Sequence, residues 1–223
     1  MPSAAAILAL DAIGKQDNYL LSNDSPIFTQ SFKQHSNFAI SHKYTQVNPV
    51  TPRPVNWPFG QTVKVSMNPT NMGDLLSNMW IKITLPELRD APELFTTYED
   101  NIGLLLIDKI VFRVDTIEME TIYRDWNVIN RDMLASDSEK RALDVMYNVT
   151  SGGTSGPFDL LIPTNLFFTR NHSDYTTYFP LCAIHKQIIS IEIVFNTPSF
   201  FTNSLVDAGI NSFEIITEEM ILS

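Results

Sequence analysis

Metal chemistry in this chain rests on four histidines, His35, His42, His172 and His185, and on one cysteine, Cys182. None sits in a His-x-x-x-His step or a Cys/His cluster of the kind that holds zinc. His172 and Asp174 are two apart, which on a strand puts both on one face, and His185 is the only further imidazole near them in sequence. A cupin-type metal site on a β-sandwich would need more converging ligands, so no metal and no cofactor is expected. The carboxylate pairs Glu118 with Glu120 and Glu218 with Glu219 are the candidates for acid–base work. Glu118 and Glu120 alternate with Ile117 and Met119, so a solvated strand face accounts for them without catalysis. There is no Gly-x-Ser-x-Gly elbow, phosphate-binding glycine loop or dinucleotide fingerprint. No catalytic residue is assigned, and the chain is not read as an enzyme. Trp80, Trp126 and Tyr123 are the side chains that could stack on sugars in a carbohydrate-binding β-sandwich module. They are scattered over strand and helix signals, so core or interface packing is expected of them. The sugar-binding alternative requires a clustered aromatic and Asn/Asp patch on one sheet face or loop end.

Cys182 is the only cysteine, so no intrachain disulfide can form. Its neighbours Leu181, Ala183 and Ile184 predict a buried small hydrophobe rather than a reactive thiol. The sequons at Asn148 and Asn171 act only in a secretory lumen, and no secretory signal is recognisable. A net charge of −10 without any basic run argues against direct nucleic acid binding, which draws its affinity from Lys and Arg on phosphates. Charged residues make up 18% of the chain, below the usual share of about 25%, and aromatics 11% with 14 Phe. That balance suits a β-rich protein with a large core or extensive buried contacts.

Period-two alternation supplies the elements. Val63, Val65 and Met67 alternate with Lys64 and Ser66; Met79, Ile81, Ile83 and Leu85 alternate with Trp80, Lys82 and Thr84. Asn68 to Gly73 supplies turn chemistry between them, with glycine read as permitting a positive φ. Pro49, Pro52, Pro54 and Pro58 mark a loop or sheet edge, since proline donates no ladder bond. Ile110, Phe112 and Val114 form a further strand, followed by Ile117 to Ile122. Trp126, Ile129 and Met133 then recur at helical spacing, and Ser136 with Glu139 reads as a capping box opening a second helix through Leu143 and Met146. Beyond the glycine-rich loop 151–157, strands resume at Phe158 to Ile162. The most regular strand is Gln187 to Phe195, with Ile189, Ile191, Ile193 and Phe195 facing one way, and the last is Phe213 to Leu222. Seven or eight strands with long connections predict an all-β jelly-roll β-sandwich, with short helical insertions in inter-strand connections.

The N-terminal segment Ala4 to Ile13 is apolar, interrupted by Asp11, and too short for the roughly 20 residues a bilayer span needs. Ser3 can cap a short helix and Gly14 can end it, placing Ile7, Leu8, Leu10 and Ile13 on its surface as candidate partner contacts.

The order of several short motifs resembles one family. Gln16-Asp-Asn-Tyr-Leu20, the turn Asn23 to Pro26, the aromatic strand Phe28 to Phe32 and His35-Ser-Asn-Phe-Ala39 resemble the opening of the major capsid proteins of large nucleocytoplasmic DNA viruses. Gly73-Asp-Leu-Leu76 with Trp80 to Pro86, Tyr123-Arg-Asp-Trp126, Leu161-Ile-Pro163, Leu166-Phe-Phe168 and Phe179 to Ile184 follow in the family's order. The resemblance implies a jelly-roll subunit or half-subunit of an icosahedral capsid, located in the virion shell and in the host cytoplasm during assembly. It implies self-association into trimeric capsomers built from two rolls per chain. It also places the N-terminal helix at the inner base, against other capsid proteins, minor capsid proteins or an inner membrane. Family members continue into a second roll after a strand like Phe213 to Leu222, whereas this sequence stops at Ser223. The expected layout is an N-terminal helix and arm over 1–25 and a single jelly-roll domain over 26–223. A minor or penton capsid protein with one roll is the alternative within the same resemblance.

Overall fold

A computed structural model describes residues 37–47, 57–88, 97–149, 156–169, 178–184, 186–200, 202 and 209–222. The segment holding Ile7, Leu8, Leu10 and Ile13 lies outside these residues, as do His35, His172, Asp174 and His185.

Eleven strands run through the described residues: β1 (Phe38–Gln46), β2 (Trp57–Pro58), β3 (Thr62–Met67), β4 (Leu75–Leu85), β5 (Ile107–Val114), β6 (Ile117–Tyr123), β7 (Phe158–Pro163), β8 (Phe179–Pro180), β9 (Ile189–Phe195), β10 (Gly209–Ile210) and β11 (Ser212–Leu222). Eight of them have six residues or more, the number a jelly roll requires. They form two antiparallel four-strand layers, β1-β11-β4-β7 and β3-β9-β5-β6, with β8 added to one end of β4 and β2 paired with β10. The first long strand pairs with the last, so the chain wraps across the sandwich rather than meandering. This is the jelly roll that the strand pattern predicts.

The alternation read from the sequence decides which side is inside. β3 buries Val63, Val65 and Met67 and exposes Thr62, Lys64 and Ser66. Ile81 and Ile83 of β4, Ile215 and Phe213 of β11, and Leu160 and Ile162 of β7 face Ile189, Ile191 and Ile193 of β9 and Ile110 and Phe112 of β5 across the core. Phe112, Phe168 and Phe179 pack with centroids 5.3–5.6 Å apart, Phe112 meeting the other two edge-on. Such aromatic pairs contribute about 0.5–1.5 kcal/mol beyond their buried area.

The helical insertions lie in connections between strands. Helix α1 (Ile102–Leu105) precedes β5, and α2 (Arg124–Ile129) leaves β6 and widens into a π turn, Asn130–Leu134, before α3 (Asp137–Met146). The capping box forms as read: the Ser136 backbone N–H donates to Glu139 at 2.8 Å, and the Glu139 N–H donates back to the Ser136 hydroxyl at 3.4 Å. Arg131 ties the two helices together, donating to Asp144 at 2.6 Å and to Asp132 at 2.7 Å.

Three local readings are corrected. Gly73 does not hold a positive φ; its place is set by close approach, since a Cβ there would meet the Met220 carbonyl oxygen at 2.9 Å. Cys182 is exposed rather than buried. The chain turns into a 3₁₀ helix at Cys182–Ile184, so Leu181 and Ile184 supply the inward side chains and the thiol points away. The alternation of Glu118 and Glu120 with Ile117 and Met119 does not separate a solvated side from an apolar one: Ile117 and Met119 are exposed as well, because β6 is the outer strand of its sheet and the β5–β6 register shifts at Phe112/Arg113. Their neighbours Glu118 and Glu120 are instead fixed by structural partners, as described below.

Candidate functional site

The outer faces of the two sheets differ in chemistry. Residues directly opposite across a ladder share a face. Register therefore places Phe38 beside Leu222, Ile40 beside Met220, His42 beside Glu218 and Asn78, and Tyr44 beside Ile216 and Trp80. Phe38, Ile40 and Tyr44 are 60%, 54% and 65% exposed, and Leu222 is exposed beside them. The result is an apolar stripe along β1 and the end of β11, broken at its centre by one polar row. In that row the His42 Nε2 lies 3.4 Å from a Glu218 carboxylate oxygen, and the imidazole stacks on Trp80 at 6.3 Å. Among the described residues β1 pairs with β11.

The opposite sheet carries charge where this one carries carbon. Arg113 of β5 bridges Glu118 of β6 at 3.1 Å and Glu192 of β9 at 3.6 Å, and Lys64 of β3 stands opposite Glu192 in register. A ladder of that kind is well solvated, each exposed pair contributing about 0–1 kcal/mol, although Met119 and Tyr123 of the outer strand β6 are also exposed on this sheet. A run of exposed apolar side chains on one sheet face is the kind of surface that partners cover, and the β1/β11 stripe is such a run.

The carboxylate pairs are structural. Glu120 accepts from the Phe167 N–H at 2.7 Å, and Glu118 accepts from the Thr121 hydroxyl at 2.5 Å as well as pairing with Arg113. Glu218 accepts from the Ser77 hydroxyl at 2.5 Å, and buried Glu219 accepts from the Gly73 N–H and the Thr217 hydroxyl, both at 2.8 Å. Each pair is split between opposite faces or partners, so neither forms an acid–base dyad. Among the described residues no cluster of His, Cys, Asp and Glu has the makings of a metal site, and no helix is long and apolar enough to cross a membrane. Burial pushes two phenols up: Tyr98, whose hydroxyl donates to the Pro86 carbonyl at 2.9 Å, and Tyr147, fully buried against α1.

The aromatic residues singled out from the sequence divide. Tyr123 is exposed and apart, but Trp80 from β4 and Trp126 from α2 line one cleft of about 750 Å³. Asn78, Asn130, Asn165 and Glu139 line it with them, as the helical excursion arches beside the β4–β7 ladder. The sequence reading missed Phe38, Ile40 and Tyr44 as surface residues. Their alternation is visible in β1, but it looks the same as an inward-facing set until β11 is known to be the neighbour.

A family model described as the N-terminus of major capsid proteins matches residues 26–216. Capsid protein 1 of Acanthamoeba polyphaga mimivirus is 25% identical over 215 residues, which cover 86% of this chain and 34% of that protein. The major capsid protein of Phaeocystis pouchetii virus is 25% identical over 152 residues, 66% of this chain and 28% of that protein. The chain thus spans well under half of either relative's length. Among solved structures, a chain of the PBCV-1 virus capsid superposes with a TM-score of 0.65 at 15% identity, over 89% of this chain and 46% of that one. The Faustovirus major capsid protein superposes with a TM-score of 0.58 at 10% identity, over 100% of this chain and 59% of that one. At these identities the structural matches speak for the jelly roll.

Proposed function

The chain belongs to the major capsid protein family, whose N-terminal part it matches over residues 26–216, and on that premise we propose that it is a structural building block of a large DNA virus shell. It works by shape and contact. The observation that carries this reading is the apolar stripe of Phe38, Ile40, Tyr44 and Leu222 on the outer face of one sheet, set against an ion-laddered face on the other. An apolar stripe on one outer face is suited to being covered by a partner, and an ion ladder on the other to facing water. In the finer form of the proposal, the roll is one of two in a capsomer subunit, and three subunits make the capsomer. Residues 26–223 form the roll and 1–25 an arm, whose Ile7, Leu8, Leu10 and Ile13 contact minor capsid proteins or an inner membrane. Its place is the virion shell, with host cytoplasm as the site of assembly. The net charge of −10 supports a shell component that leaves genome binding to other proteins.

Sedimentation velocity on the purified chain tests the proposal. Obligate interfaces bury about 2,000 Å² or more, so stable association at tens of micromolar (roughly, the range where weak association also appears) is expected. A strict monomer at those concentrations would contradict it.

A further inference from the structure

The cleft between β4 and the helical excursion is not needed for an assembly role, and its lining is more specific than packing demands. Trp80 and Trp126 come from different elements, and each is half-buried. Around them stand Asn78, Asn130 and Asn165, and Glu139, whose carboxylate is held by the Ser136 capping box, also lines the cleft. The amides of Asn78 and Asn130 hold only long contacts, 3.4 Å to Glu218 and 3.5 Å to Asn165. Asn165 is buried and held at φ 50°, with its amide donating to Asn127 at 2.8 Å, which fixes the orientation of the group at the cleft wall. Asn130 begins the π turn that follows α2, and single π turns inside helices recur at functional sites.

Two indoles beside several amides suit one ligand class. Sugar rings present an apolar C–H face that packs on an aromatic ring, and a rim of hydroxyls that both donate and accept, as amides do. The lining includes a carboxylate and no Lys or Arg, and the chain's net charge is −10, so an anionic ligand is disfavoured. The volume of about 750 Å³ falls in the range of small-ligand sites, roughly 300–1,000 Å³. We infer that this cleft is a binding site for a neutral saccharide. Trp80 and Asn78 lie on the same sheet face as the apolar stripe, but the cleft is read out by sugar binding and the assembly proposal by association, so either can fail alone.

The test is titration of the full chain with maltotriose, cellotriose and chitotriose, with sialyllactose as the charged comparator, followed by calorimetry and by NMR of the indole N–H groups. Saturable binding of at least one neutral trisaccharide is expected, with shifts at the Trp80 and Trp126 indoles of the parent protein. Trp80→Leu and Asn130→Ala should each weaken binding at least tenfold, while Lys64→Ala on the opposite sheet leaves it unchanged. The indole shifts are read on the parent, so they decide the matter even where a variant folds poorly. Absence of binding by all three neutral sugars at about 10 mM, weaker than any useful affinity, would overturn the inference. So would a preference for sialyllactose, or binding that moves neither indole.

Discussion

Replacing Ile191 by alanine removes three carbons from the middle of the sandwich. Ile191 is fully buried in β9, flanked in register by Val65 on β3 and Phe112 on β5. It faces the apolar layer supplied by β4, β7 and β11. Strands on both sides hold its backbone, so the site cannot collapse to fill the space. Under those conditions Ile→Ala costs about 2–5 kcal/mol, and the upper part of that range is expected here. A 1 kcal/mol loss lowers Tm by about 2–4 °C in a domain of this size, so a fall of roughly 8–15 °C should appear in thermal melting followed by circular dichroism. Ile191→Val, which removes one carbon, should cost about 0.5–1.5 kcal/mol and melt between the two. Ile191→Asp buries an unpaired carboxylate and should abolish cooperative folding. A soluble Ile191→Asp protein with a cooperative transition near that of the parent would show that the β9 register is wrong, and with it the assignment of inner and outer faces.

Gly103→Ala should destabilise even though helix propensity favours alanine by about 1 kcal/mol, because its Cβ would meet the Tyr147 Cα at 2.7 Å and carbonyl oxygen at 2.8 Å; an unchanged denaturation midpoint would refute the α1 packing. The buried phenols of Tyr98 and Tyr147 titrate higher in the folded chain than in the unfolded one. Their contribution is therefore fully present below the unfolded value of about 10 and is lost as pH rises above it. Melting temperature should fall from about pH 10 upward, and less steeply in Tyr98→Phe and Tyr147→Phe; identical pH profiles in all three proteins would contradict this. Deleting residues 1–13 should leave the melting temperature nearly unchanged while weakening co-assembly with partner shell proteins or membrane. A large loss of melting temperature would instead assign those apolar residues to covering the core.

Local patterning made the inner faces legible and left the outer ones obscure. Ile189, Ile191 and Ile193 declare an inward side because their alternation is uninterrupted and the similarly patterned strands β4, β7 and β11 of the facing sheet can pack on it. The capping box at Ser136 and Glu139 is likewise local, and it forms where it was read. Phe38, Ile40 and Tyr44 alternate just as regularly, yet they face outward, because the pairing of β1 with β11 decides their side and that pairing joins the two ends of the roll. The same holds for the cleft: Trp80 and Trp126 lie on different elements, and only the folding of α2 and α3 back beside β4 brings them together. Cys182 failed for a smaller reason, a 3₁₀ turn that breaks the period its apolar neighbours suggested.

The apolar stripe carries the central claim, and charge placed on it addresses that claim most directly. Ile40 and Tyr44 are more than half exposed, so Ile40→Asp with Tyr44→Asp should fold and melt close to the parent, while a covered interface would have to bury two carboxylates. Multi-angle light scattering of both proteins at matched concentration is the measurement. The account expects the parent to associate and the double variant to run as a monomer. Equal association of the two, or a monomeric parent, would contradict it.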